Sequence, residues 1–146
     1  MLLTSLEHRF MSVIPEELEP GILYVSMEYA TAAHSCCCGC GEEIVTPFTP
    51  TDWRMQFDGE TISLNPSVGS WTLPCRSHYV IKRGKVIEAG PWSDEKIQAE
   101  RHRDKRAKQQ YYGEIKATTA PQSTQERKPK LKPEGLIAHL KKWLGF

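Results

Sequence analysis

All five cysteines of this chain fall in two places: the run His34-Ser35-Cys36-Cys37-Cys38-Gly39-Cys40-Gly41, and Cys75 in Pro74-Cys75-Arg76-Ser77-His78-Tyr79. Four thiolates make a closed tetrahedral zinc site, and Gly39 and Gly41 remove the Cβ barriers that would stop the backbone from folding tightly round an ion. A structural metal staple is the expected chemistry. A free cysteine is often just a small buried hydrophobe, so the argument rests on the clustering and on the lone distant partner.

Residues able to do acyl chemistry lie beside the second cysteine. In an extended strand, Cys75 and Ser77 would point to one face while Arg76 and His78 point to the other. Ser77 and His78 would then face apart, and a serine served by His78 must come from elsewhere. Ser67, on the glycine-containing bend Asn65-Pro66-Ser67-Val68-Gly69, is the preferred nucleophile and Ser77 the alternative. A serine needs an adjacent base, and the base needs an orienting partner. Read without catalysis, Ser67 is a turn hydroxyl, His78 a hydrogen-bonded strand residue, Arg76 a surface charge and Ser77 a contact to the thiolates. His34 is read first as a residue outside the metal ligands, near them or facing solvent.

The elements that must position these groups read as β. Ile22-Leu23-Tyr24-Val25-Ser26-Met27-Glu28-Tyr29 follows Pro20-Gly21 and is rich in branched and aromatic residues; Glu43-Ile44-Val45-Thr46 follows the cysteines. Trp53–Phe57 and Thr61–Leu64 alternate around Asp58-Gly59, a hairpin signal, and residues 78–81 and 86–89 flank Arg83-Gly84 as a second hairpin. About six short strands in some 70 residues predict a mainly β fold, a small antiparallel barrel or sandwich stapled by zinc because its core is thin. The globular pattern begins after Met11, a second candidate start. The expected organisation is a β domain over 12–92, a long polar helix over 93–116, a linker over 117–132 and an amphipathic helix over 133–146. Leu136, Ile137, Leu140, Trp143 and Leu144 give that last helix one apolar stripe.

The chain has 146 residues and a net charge of +1. Residues 1–92 carry six Lys/Arg and eleven Asp/Glu, net −5, and residues 93–146 carry thirteen and seven, net +6. The basic tail interleaves Asp94, Glu95, Glu100, Asp104 and Glu114, which favours a solvated helix over a nucleic-acid surface. Nucleic-acid binding through residues 101–108 with Tyr111 and Tyr112 is the weaker reading, beside a non-catalytic zinc adaptor. No apolar run reaches the eighteen or so residues of a membrane span, and no secretory leader is visible. A cytoplasmic, reducing setting follows, where unpaired cysteines favour metal over disulfides.

Cys36-x-Cys38-Gly39-Cys40-Gly41, then Leu64-x-Pro66-Ser67-Val68-Gly69, then Cys75-x-Ser77-His78-Tyr79 and an Arg-Gly hairpin together resemble the small zinc-binding proteins of bacterial ubiquitination-like operons. The resemblance spans about residues 20–92. It implies a zinc-binding β-barrel peptidase acting at the C-terminus of the operon's ubiquitin-like protein, with the conjugating machinery as a further partner. It also implies zinc at Cys36, Cys38, Cys40 and Cys75, and an unusual serine–histidine–arginine triad with His78 as general base. The serine remains open between Ser67 and Ser77, and the arginine between Arg76 and, behind it, Arg83. Cys37 stands where the family pattern commonly has proline, which adds a competing Cys37-x-x-Cys40 knuckle.

Overall fold

The computed structural model describes residues 1–119. The expected linker beyond Thr119 and the amphipathic helix over 133–146 lie outside the described residues. Strands β1 (Glu7–Phe10), β2 (Ile22–Ser26), β3 (Thr31–Ser35) and β4 (Glu43–Pro47) form one sheet in that order. β5 (Arg54–Phe57) and β6 (Ile62–Asn65) form a hairpin, and β7 (Val68–Gly69), β8 (His78–Lys82) and β9 (Lys85–Glu88) a third sheet. The fold is mainly β, as expected. It differs from the expectation in two ways: the described residues form three small sheets and no closed barrel, and β1 pairs with β2 in parallel.

Local chemistry accounts for the hairpins. At the β5–β6 turn, Asp58 Oδ1 accepts the amides of Glu60 and Thr61 and Oδ2 accepts the Thr61 hydroxyl. Those bonds hold its carboxyl down at about 2. At the β8–β9 turn both Arg83 and Gly84 have positive φ, 51° and 73°, the geometry a two-residue hairpin loop requires.

The sheets are tied by backbone bonds as well as by the core. Leu6 N donates to Gly84 O at 2.7 Å, Val86 N to Thr4 O at 2.9 Å and Gly84 N to Ile62 O at 2.8 Å. The N-terminal segment therefore reaches the β8–β9 hairpin, and Leu6 is buried, so the globular structure begins ahead of Met11. β1 was illegible because its residues are mostly exposed and it is held by main-chain pairing rather than by an apolar stripe. Leu23, Val25, Ile62, Leu64, Val68, Tyr79 and Ile81 fill the space between the sheets, with Cys36 and Cys37 among them.

Helix α1 spans Asp94–Thr119. Ser93 caps it: its hydroxyl accepts the amide of Lys96, with Asp94 and Glu95 in the first turn beside the positive helix terminus. Ile97 is its buried residue, and Lys108 reaches Asp52 at 2.9 Å. No helix among the described residues is long and apolar enough to cross a membrane.

Candidate active site and metal centre

The β2–β3 hairpin delivers its chain to the cysteine loop, where Cys36 N bonds Glu42 O and Gly39 N bonds Cys36 O. Gly39 has φ of 89°, a conformation that glycine adopts without the strain a side chain would bring. The Sγ atoms of Cys36, Cys38, Cys40 and Cys75 all lie within 4.8 Å of one another. Cys36 Sγ stands 3.4 Å from Cys38 Sγ and 4.0 Å from Cys75 Sγ. A tetrahedron of sulfurs about 2.3 Å from zinc has edges of about 3.8 Å, so the donor set fits a metal ion of that kind.

Cys37 stands apart from the cluster. It is fully buried, its amide faces the Tyr79 hydroxyl at 3.4 Å, and burial pushes its thiol up to about 11. The Cys37-x-x-Cys40 knuckle is therefore not the arrangement found. His34 is also outside the cluster and does not face solvent: it is fully buried, its Nε2 2.7 Å from the Tyr79 hydroxyl. Burial lowers its pKa to about 4, leaving the ring neutral.

Within the cluster the thiols divide. Burial and thiols shared with Cys36, Cys40 and Cys75 push Cys38 up to about 12. Burial also opposes ionisation of Cys75, yet bonds from the Ser77 hydroxyl and amide and from the thiols of Cys38 and Cys40 outweigh it and bring Cys75 to about 7. Ser77 Oγ lies 3.1 Å from Cys36 Sγ and 3.5 Å from Cys75 Sγ. Ser77 is thus turned to the thiols and buried among them.

On the other side, Ser67 Oγ stands 2.8 Å from His78 Nε2. Ser67 immediately precedes β7, whose two residues pair with the start of β8, Val68 with Tyr79 and Gly69 with His78. That register sets the serine beside the histidine. His78 Nδ1 lies 2.9 Å from the carbonyl of Gly90. A carbonyl only accepts, so Nδ1 carries the proton and the Nε2 lone pair is turned to the serine hydroxyl. Gly90 reaches this position with φ of 78°, directly after the bond from Ala89 N to His78 O.

Two indoles enclose the imidazole. Trp71 and Trp92 stack with centroids 5.5 Å apart and lie 5.0 and 4.9 Å from the His78 ring, which is 6% exposed. A Cβ at Gly69 would meet the Trp71 indole nitrogen at 2.5 Å. Ser67, His78 and the two tryptophans line a cavity of about 340 Å³, closed on its far side by Ile97, Glu100, Arg101, Asp104 and Lys108 of α1.

The structure does not bring Arg76 to His78. Its φ is +44°, it precedes the strand rather than belonging to it, and its guanidinium pairs with Asp94 at 2.7 Å. The extended geometry assumed from sequence fails there, one residue before Ser77. Arg83 sits at the β8–β9 turn, its amide bonded to Ser63 Oγ. The arginine that lines the Ser67–His78 cavity is Arg101, whose guanidinium makes no hydrogen bond or ion pair among the described residues. Sequence reasoning missed it because the site-facing positions of α1 are mostly charged, with Ile97 the lone apolar marker.

Ser67 beside His78 in a half-enclosed pocket, next to four cysteines close enough to hold a metal ion, marks a small, mainly β protein that carries the side chains serine chemistry and a metal staple require. Residues 10–89 match the family described as bacterial ubiquitination-like system serine protease (BubE), and the chain belongs to that family. Neither a curated protein nor a solved structure matches it.

Proposed function

We propose that this protein is a serine peptidase that cleaves at the C-terminus of a bacterial ubiquitin-like protein, releasing a precursor extension or a conjugated amine. The observation that carries the reading is the Ser67 Oγ to His78 Nε2 approach of 2.8 Å, with Nδ1 tied to the Gly90 carbonyl at 2.9 Å. His78 takes the Ser67 proton as Oγ bonds to the substrate carbonyl carbon. The bond to the leaving amine then breaks, and the same Nε2 proton passes to that amine. Water enters next, activated by His78, and frees the serine. The Gly90 carbonyl does the orienting task that a carboxylate does in the commoner triad, without supplying a negative charge.

Arg101, on the opposite wall, is the group proposed to balance the oxyanion, being a permanently charged multiple donor. Arg76, engaged by Asp94, keeps α1 against the β domain instead. Ser77 supports the thiolates. Cys36, Cys38, Cys40 and Cys75 hold the proposed ion, zinc, whose contribution is to fix the loop and the turn leading into β8.

The ubiquitin-like protein of the system, fused to a short C-terminal extension, tests this directly. The wild-type chain should cut at the junction without nucleotide, and His78→Ala should not cut while retaining its metal. Normal cleavage by His78→Ala would replace the peptidase reading with that of a zinc-binding adaptor.

A further inference from the structure

A second and larger cavity, about 810 Å³, adjoins the Ser67–His78 pocket and shares Asp52, Trp53 and Pro66 with it. Its floor includes Ser63–Asn65 of β6 and Val80–Lys82 of β8, and Phe48 and Trp53 rise at its side. The two strands lie side by side in opposite directions: Gly84, just past β8, bonds Ile62 O of β6 at one end, and Val68 of β7, three residues past β6, pairs with Tyr79 at the other. The cleft therefore begins beside Lys82 and ends at Pro66, one residue before Ser67. His78, Val80 and Lys82 alternate onto one face of β8. Four strand steps separate the first from the last, about 13 Å, the length of about four extended residues.

We infer that this cleft is the acyl-side subsite: it takes the extended C-terminal tail of the substrate protein, whose last carbonyl arrives at Ser67, while the smaller pocket under α1 takes the leaving group. The inference rests on the peptidase reading. Two observations fix the direction. Every residue lining the large cleft lies within residues 10–89, the stretch that matches the family, so it belongs to the part built for the family's shared reaction. The α1 wall of the small pocket, Ile97 to Lys108, lies outside that stretch. Size agrees, since the cleft of about 810 Å³ has more than twice the volume of the pocket of about 340 Å³ and is the one that can hold an extended segment. The α1 wall also carries both charge signs, Glu100 and Asp104 with Arg101 and Lys108, which suits a polar amine.

Gln56→Trp and Lys82→Trp test this, because both positions are exposed, both line the cleft and neither belongs to the catalytic machinery. Two substrates are needed, the ubiquitin-like protein with a peptide extension and the same protein joined to a lysine side chain; p-nitrophenyl acetate serves as a probe that needs no cleft. Either variant should lower kcat/KM at least about tenfold on both protein substrates, a loss of about 1.4 kcal/mol, with ester hydrolysis unchanged. Unchanged cleavage of both protein substrates by both variants overturns the inference, and so does a loss confined to one leaving group, which would place the cleft on the other side of the scissile bond. Failure of the peptidase reading looks different: the wild-type chain then neither hydrolyses the ester nor labels at Ser67 with a fluorophosphonate, and the inference falls with it.

Discussion

Ser67 and Ser77 lie ten positions apart, the first beside His78 and the second beside the thiols, and exchanging each for alanine should split catalysis from metal binding. Ser67→Ala removes one partly buried hydroxyl that touches His78 Nε2. The stability cost is that of one hydrogen bond, about 1 kcal/mol, because the pocket is open to water and the imidazole keeps its Gly90 bond. The catalytic cost is far larger. Loss of a nucleophile removes the covalent route, and triad knockouts in other serine peptidases cost roughly 10⁴- to 10⁶-fold in kcat, about 5–8 kcal/mol at the transition state. Ser77→Ala leaves Ser67 and His78 in place but strips a hydroxyl lying 3.1 and 3.5 Å from two thiols. Its cleavage rate should stay within a few fold of wild type while the cluster holds metal less tightly, since groups that support metal ligands typically account for 10–100-fold in affinity. Cleavage of the fusion, fluorophosphonate labelling and metal content measured on the same three preparations decide the matter. A Ser77→Ala protein with full metal and no turnover, beside an active Ser67→Ala, would refute the assignment.

The cluster makes its own predictions. Cys36→Ser should lose the metal and melt well below wild type, whereas Cys37→Ser, altering a fully buried thiol outside the cluster, should keep about one ion per chain; retention of metal by Cys36→Ser and loss by Cys37→Ser would reverse the ligand set. Burial and the neighbouring thiols raise Cys38 to about 12, so metal binding must displace its proton and affinity should rise with pH, by about tenfold per unit for each proton released; competition against a chromophoric chelator from pH 6 to 8 that gives a flat line would contradict this. Burial raises the Asp52 carboxyl, but Lys108 and the Thr49 hydroxyl more than compensate and hold it below the usual range. Its pairing with α1 is therefore present above about pH 4 and is lost as pH falls further. Asp52→Asn at pH 7 should weaken α1 docking by up to about 1 kcal/mol, read as faster hydrogen exchange in the helix, and unchanged exchange would assign the docking to Ile97 and Trp92 instead.

What the sequence disclosed and what it hid follow from how each element is stabilised. The hairpins at Asp58-Gly59 and Arg83-Gly84 were legible because their turns need residues that tolerate positive φ, and β2 because five consecutive buried residues leave no other reading. β1 and the two-residue β7 carry no such pattern, since main-chain pairing holds them. Strand alternation led to the expectation that Ser77 turns with Cys75 and that the serine facing His78 comes from another segment; the geometry agrees, although Cys75, Arg76 and Ser77 precede β8 and form no strand. The same alternation failed at Arg76, because it presumes extended backbone and Arg76 lies at φ of +44°. That failure hid the arginine question altogether: once Arg76 turns to Asp94, the guanidinium that lines the cavity among the described residues is carried by a helix that begins after the last strand.

Among the described residues no carboxylate is bonded to His78 Nδ1, so on the proposed mechanism the imidazolium is stabilised by the Gly90 carbonyl dipole, with Trp71 and Trp92 packed against the ring and keeping water from it. Gly90 and Trp92 belong to the short connection from β9 into α1, Trp71 reaches them from the β7–β8 loop, and Lys96 of the first turn stands 4.3 Å over the Trp92 ring. On the proposed mechanism the helix is therefore part of the catalytic unit rather than an appendage: one segment, from Gly90 to Arg101, orients the base, shields it and supplies the positive charge. A β domain ending at Glu88 would keep the Ser67–His78 pair, Trp71 and the four thiols but lack the Gly90 carbonyl, Trp92 and Arg101.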